Sequence, residues 1–190
     1  MVFVAAALVC GALPEVRATG FTQRTYPLAW LGATGVPGAA AFNAFGFGAT
    51  GLLMAAALAT LRARLPAQAG WGARIGARLL MLSALAFAAQ GLWPIDPQHP
   101  DDAATGLHGV VWTLWWLAFA AGGPLWVLSR HVASGAIAGV AVLAGLLAPL
   151  CAVAGAAAMP AALAERGAFA LWLAWAAWSV GRTPFSRGGA

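Results

Sequence analysis

Charge is the scarcest property of this chain: 8% of its 190 residues are charged, and only five of them are acidic. With 62% apolar residues, that scarcity excludes a soluble domain of this length, whose one core could not hide so much apolar surface. Two cysteines, Cys10 and Cys151, are too few for a disulfide framework and read as buried free thiols acting as small apolar residues. Ala7, Leu8 and Val9 ahead of Cys10 do not make a lipobox. There is no phosphate-cradling glycine loop followed by lysine, no nucleophile elbow and no paired-cysteine redox motif. No charged residue falls within a membrane core, which weighs against a proton-coupled pump. His108 and His131 fall at opposite ends of one predicted helix, about 35 Å apart at helical rise, so they cannot share a haem.

What the chain has instead is long apolar runs. A bilayer core about 30 Å thick requires roughly 20 apolar residues per helix, and backbone groups in hydrocarbon must be paired within a helix. The runs predict an all-α, polytopic transmembrane bundle of about six helices in a single domain over 1–190. The helices are placed near 1–13, 37–61, 75–93, 109–128, 133–159 and 167–181. The first is short, and two readings stay open for it. It is a helix, shortened if the true start lies upstream, or the apolar region of a signal peptide cleaved after Val16-Arg17-Ala18, although no basic residue precedes it.

The charges are sorted between the gaps. Arg62, Arg64, Arg74, Arg78, Arg130, Arg182 and Arg187 fall on one side with no acid. Glu15, Asp96, Asp101, Asp102 and Glu165 fall on the other, with Arg17, Arg24 and Arg166. The positive-inside rule then places both termini in the cytoplasm of a multi-pass protein of the inner (plasma) membrane. The net charge of +5 is a topology signal, and no nucleic-acid partner is expected.

Helix packing is expected through small residues, with Gly46, Gly48 and Gly51 in the second helix and Gly135, Gly139 and Gly145 in the fifth. Such faces serve monomer packing, a helix-mediated homo-oligomer or a membrane protein partner equally well. Trp172, Trp175 and Trp178 recur at spacing three, which marks one face of the last helix. That face suits bundle packing or the lining of a lipid or isoprenoid chain.

Candidate chemistry sits in the segment from Gln90 to Gly109, stiffened by Pro94, Pro97 and Pro100. Asp96 and His108 flank this outer hairpin and are the candidate catalytic pair, able to hold a divalent metal or do acid-base work. His99 is a third candidate metal ligand, and Asp101 or Asp102 could also complete a set. No cofactor is called for beyond such a divalent metal. Asn43, roughly 10 Å deep, and Gln90, about one turn inside its helix, share the outer leaflet with this pair. Together Asn43, Gln90, Asp96 and His108 outline a candidate ligand pocket. Equally available are structural roles: a turn closed by Asp96, a helix cap from Asp101, Asp102 or Thr105, an interfacial hydrogen bond from His108, and interhelical bonds from Asn43 and Gln90.

Tyr26-Pro-Leu-Ala-Trp-Leu-Gly-Ala-Thr-Gly-Val-Pro-Gly, the Asn43 that follows, Gly91-Leu-Trp-Pro-Ile-Asp96 and the later Leu-His108-Gly resemble the prokaryotic membrane family catalogued as domain of unknown function 998. The resemblance covers most of the chain and implies about six helices without an established activity. It makes Asn43, Asp96 and His108 the matching polar positions. Ala29 departs from the serine often found two residues before the Leu-Gly pair, so a mechanism built on that serine is in doubt. Three function classes follow: a protein binding a membrane lipid or partner, a metal-assisted or acid-base lipid hydrolase using Asp96 and His108, and a small transporter or permease component.

Overall fold

A computed structural model of the chain describes residues 1–129 and 160–181. The described residues are helical, with no strand among them. In chain order they form α1 (Val2–Ala12), α2 (Pro14–Ala18), a 3-10 turn (Leu28–Gly32), α3 (Ala39–Ala63), α4 (Trp71–Ala89), α5 (Ala103–Leu128) and α6 (Ala161–Gly181). Three of them, α3, α4 and α5, are long and apolar enough to cross a membrane, and the fold is that of a helical membrane protein.

Of the remaining expected runs, the first is an 11-residue helix. The run at 133–159 lies outside the described residues, as do Gly135, Gly139, Gly145, His131 and Cys151. The last helix begins at Ala161 instead of residue 167, which brings Glu165 and Arg166 onto the helix. Two other starts are also earlier than apolarity alone suggests. α4 begins at Trp71, which places Arg74 and Arg78 in its first turns and not in a gap. α5 begins at Ala103 because Asp102 caps it, accepting the Thr105 N–H.

The core is aromatic. Phe87 of α4 contacts Phe3 of α1 (centroids 5.4 Å), Phe47 of α3 (5.3 Å), Phe169 of α6 (5.4 Å) and Trp172 (4.6 Å, stacked). Phe3 in turn meets Phe42, Phe47 and Phe169, so the first run packs into the core of the bundle. Trp172 and Trp175 are buried, with Trp175 set edge-on to Phe119 of α5. This part of the tryptophan stripe therefore serves bundle packing.

Within α3, residues Phe42–Ala49 are π-wound. Bonds from i to i+5 widen the turn, so residues five apart share a face. That winding turns both Phe42 and Phe47 inward, with rings 5.3 Å apart. Close approach elsewhere depends on missing side chains: a Cβ at Gly51 would lie 2.5 Å from both Ala84 O and Ala88 N of α4. At the crossing of α4 and α5, a Cβ on Gly76 would lie 2.8 Å from Trp126 N, and one on Gly122 3.0 Å from Leu80 N. Gly51 thus meets the packing expectation, whereas a Cβ on Gly46 would meet the ring of Phe42 in its own helix.

Candidate functional site

Two segments meet at the end of the bundle that carries the acids: the stretch 13–38 between α1 and α3, and the hairpin 90–102 between α4 and α5. The Thr34 N–H donates to Ile95 O at 2.9 Å and ties them together.

In the hairpin, Asp96, His99 and Asp102 have local partners, as does His108 in the first turns of α5. The Asp96 carboxylate accepts from the Gln98 N–H (2.9 Å) and lies 3.0 Å from His99 Nδ1, while its own N–H donates to Thr105 Oγ1. The His99 ring and these backbone N–H groups hold Asp96 below the usual carboxylate range. Asp102 is lowered likewise by the Thr105 hydroxyl and N–H. His108 is buried, with Nδ1 2.9 Å from Trp93 O and its ring against Phe47.

Asn43 donates from Nδ2 to Gly32 O at 2.9 Å, clamping the 3-10 turn onto α3. The backbones of Asn43 and Gly91 are so close that a Cβ on Gly91 would lie 2.5 Å from Asn43 O. The His108 ring and Gly91 thus lie beside Phe47, the Asn43 amide is held on Gly32, and the Asp96 carboxylate is engaged with His99 and Gln98. Gln90 is fully buried, and its amide makes no hydrogen bond among the described residues. Among those residues, no three of His, Cys, Asp and Glu stand close enough to hold a metal together.

A second polar group forms across the same end of the bundle. Glu165 of α6 is buried, and its carboxylate accepts from the Leu28 N–H (2.8 Å) and the Ala29 N–H (3.4 Å) at the start of the 3-10 turn. These are the N–H groups a short helix leaves unpaired, and the terminal dipole favours an anion there. Arg166 donates to Gln23 Oε1 (2.7 Å), Tyr26 O (2.8 Å) and Ala162 O (2.8 Å), all neutral acceptors. The loop between is braced by Trp30, whose ring stacks on Phe21 (5.4 Å) and touches Tyr26 (4.9 Å).

Below Arg166 and Gln23 an apolar groove of about 170 Å³ opens between α1 and α6, walled by Val4, Leu8, Phe169 and Leu173. Arg166 and Gln23 are its polar lining residues, and nearly all of the surface it exposes is hydrocarbon.

Gln23, Glu165 and Arg166 are the residues that the sequence pattern leaves out. The one signal for them is the adjacent acid and base at the head of an apolar run, where they count as topology markers. Replacing Glu165 with alanine leaves the Leu28 and Ala29 N–H groups without their acceptor. The expected loss is about 1–3 kcal/mol per buried group, read as a lower thermal midpoint in detergent. Glu165→Gln, which keeps one acceptor oxygen, should recover part of it.

Against known proteins the chain matches no family model, no curated protein and no solved structure.

Proposed function

We propose that this chain is a six-span protein of the inner (plasma) membrane, with both termini in the cytoplasm, that binds a membrane lipid in the groove between α1 and α6. The reading is carried by the groove itself, where an apolar trough ends at Arg166, a cation whose hydrogen bonds all go to neutral acceptors. An acyl chain lies along Val4, Leu8, Phe169 and Leu173, and the head group faces Arg166 and Gln23. The neighbouring carboxylate does not compete for the head group, because Glu165 is engaged with the 3-10 turn. The sorting of all five acids away from seven of the ten arginines supports the orientation. The Leu31-Gly32 pair, Asn43 and the Gly91 to Asp96 element followed by His108 support placing the chain beside the domain of unknown function 998 proteins. The local partners of Asp96 and His108 support structural roles for the hairpin, which stiffens the outer rim.

Ala170 lines the groove from an exposed position on α6, so a tryptophan there fills the trough without entering the core. Native mass spectrometry of the detergent-purified protein should show a retained lipid on the wild type and its loss from Ala170→Trp, with thermal midpoints that agree. Equal lipid occupancy in the two proteins would refute the groove as the binding site.

A further inference from the structure

At the opposite end of the bundle, α3 and α4 are joined by a tight connection of a few residues. The Leu65 N–H returns to Arg62 O (3.1 Å) and the Ala69 N–H to Pro66 O (2.9 Å). This folding encloses a pocket of about 210 Å³ lined by Arg62, Arg74 and Arg78 together with Leu65 and Pro66. Three arginines thus line one small concavity, and none of the chain's five side-chain carboxylates is in its wall.

The pocket is more than a cluster of topology charges, because one of its cations is fixed in place. Arg74 donates from Nε to Ala69 O (3.0 Å) and from Nη2 to Ala67 O (2.5 Å), which anchors its side chain on the loop carbonyls. Its remaining donors are held in position, a pre-organisation that lowers the entropic cost of binding an anion. The guanidinium groups of Arg62 and Arg78 make no hydrogen bond or ion pair among the described residues. α4 begins at this pocket with no acidic residue in its first turn and no side-chain cap on Gly70. Arg74 therefore sits in the first turn, at the positive end of the helix dipole, where a cation is disfavoured in the absence of an anion, and Arg78 lies one turn further in.

Position selects the source of that anion. Trp71, next to the pocket at the start of α4, is 80% exposed. An exposed tryptophan at the end of an apolar helix belongs at head-group depth. Basic pockets between helices at that depth take lipid phosphates, and a phosphate offers the oxygens that planar guanidinium groups bind in pairs.

We propose that the pocket formed by Arg62, Arg74 and Arg78 at the α3–α4 turn binds the phosphate of an anionic phospholipid head group. The site is separate from the groove between α1 and α6 and shares no residue with it.

The test uses the full chain in detergent, titrated with phosphatidylglycerol, phosphatidylcholine or inorganic phosphate, with the thermal midpoint as readout. Phosphatidylglycerol should raise the midpoint of the wild type, while phosphatidylcholine and inorganic phosphate should not. Arg62→Gln/Arg78→Gln alters only side chains without hydrogen-bond or ion-pair partners among the described residues, so its midpoint before lipid is added should match the wild type. Its titration should need roughly 30-fold more phosphatidylglycerol, from about 1 kcal/mol for each basic residue at a membrane surface. Arg74→Gln should weaken binding as well, but it also releases the loop and is the less clean variant. An unchanged phosphatidylglycerol response in the double variant would overturn the site. Equal stabilisation by inorganic phosphate or phosphatidylcholine would overturn the assignment to an anionic lipid.

Discussion

Phe87→Ala should be the most damaging single truncation in the bundle, lowering stability by about 3–5 kcal/mol. Phe87 is completely buried and touches rings from α1, α3, α5 and α6: Phe3, Phe47, Trp115, Phe169 and Trp172. In lipid, helices gain little from the hydrophobic effect, so the lost dispersion contacts are not replaced by any equal pull from the solvent. A cavity at the point where four neighbouring helices converge cannot close without moving all of them. Thermal unfolding in detergent should register a fall of roughly 10 °C. Leu92→Ala is the control, since Leu92 is 72% exposed and should shift the midpoint very little. Comparable losses in the two variants would mean that the aromatic cluster is not the organising core.

Gly51→Ala should be nearly as severe, although it adds only one methyl group. The added carbon would fall 2.5 Å from Ala84 O and Ala88 N, and both are backbone atoms that cannot rotate away. Relief requires α3 and α4 to separate along their contact, with a cost at or beyond the upper end of about 1–3 kcal/mol. Ala88→Gly should fail to rescue it, because the conflict is with main chain and not with the Ala88 methyl. Gly106→Ala should have the opposite sign. That residue lies in the first turns of α5 with nothing within 4 Å of an added Cβ, and alanine there removes the backbone entropy of glycine, about 0.5–1 kcal/mol. Size-exclusion profiles and thermal midpoints of the three variants check the order. A Gly51→Ala protein as stable as wild type would contradict the close approach of α3 and α4.

The apolar runs made the helical class legible in the sequence, since in a bilayer the length and polarity of a segment are nearly the whole specification of a helix. Helix ends were less legible. Arg74 and Arg78 read as a gap because charge marks the edge of the hydrocarbon, yet a helix continues through its amphipathic end into the head-group region. Asp102 was one of the residues recognised as able to cap, and its cap moves the start of α5 to Ala103, ahead of the apolar stretch. The inward face of Phe42 and Phe47 could not be read from periodicity, because their spacing of five shares a face only in a π-wound turn.

The same limits apply to the sites. Asn43 and Gln90 stand out as polar groups in apolar runs and His108 as the end of the outer hairpin, but their partners, Gly32 O for Asn43 and Trp93 O for His108, are main-chain groups that no sequence pattern marks. The group formed by Gln23, Glu165 and Arg166 joins positions more than 130 residues apart, through the Leu28 N–H donating to Glu165 and the Arg166 guanidinium donating to Gln23 Oε1 and Tyr26 O. Neither a motif nor a spacing marks such a group in a single sequence. Its acid is buried and its base borders the groove only because the 3-10 turn is docked on α6.

The central claim, a lipid seated between α1 and α6, is tested most directly by photo-crosslinking with a phospholipid that carries a diazirine on its acyl chain. After irradiation in membranes and digestion, adducts should concentrate on residues 4–8 and 169–173 and should be lost in Ala170→Trp. Adducts spread over outward residues such as Leu52, Leu53 and Val110, unchanged by that substitution, would show a bundle merely surrounded by lipid and contradict the account.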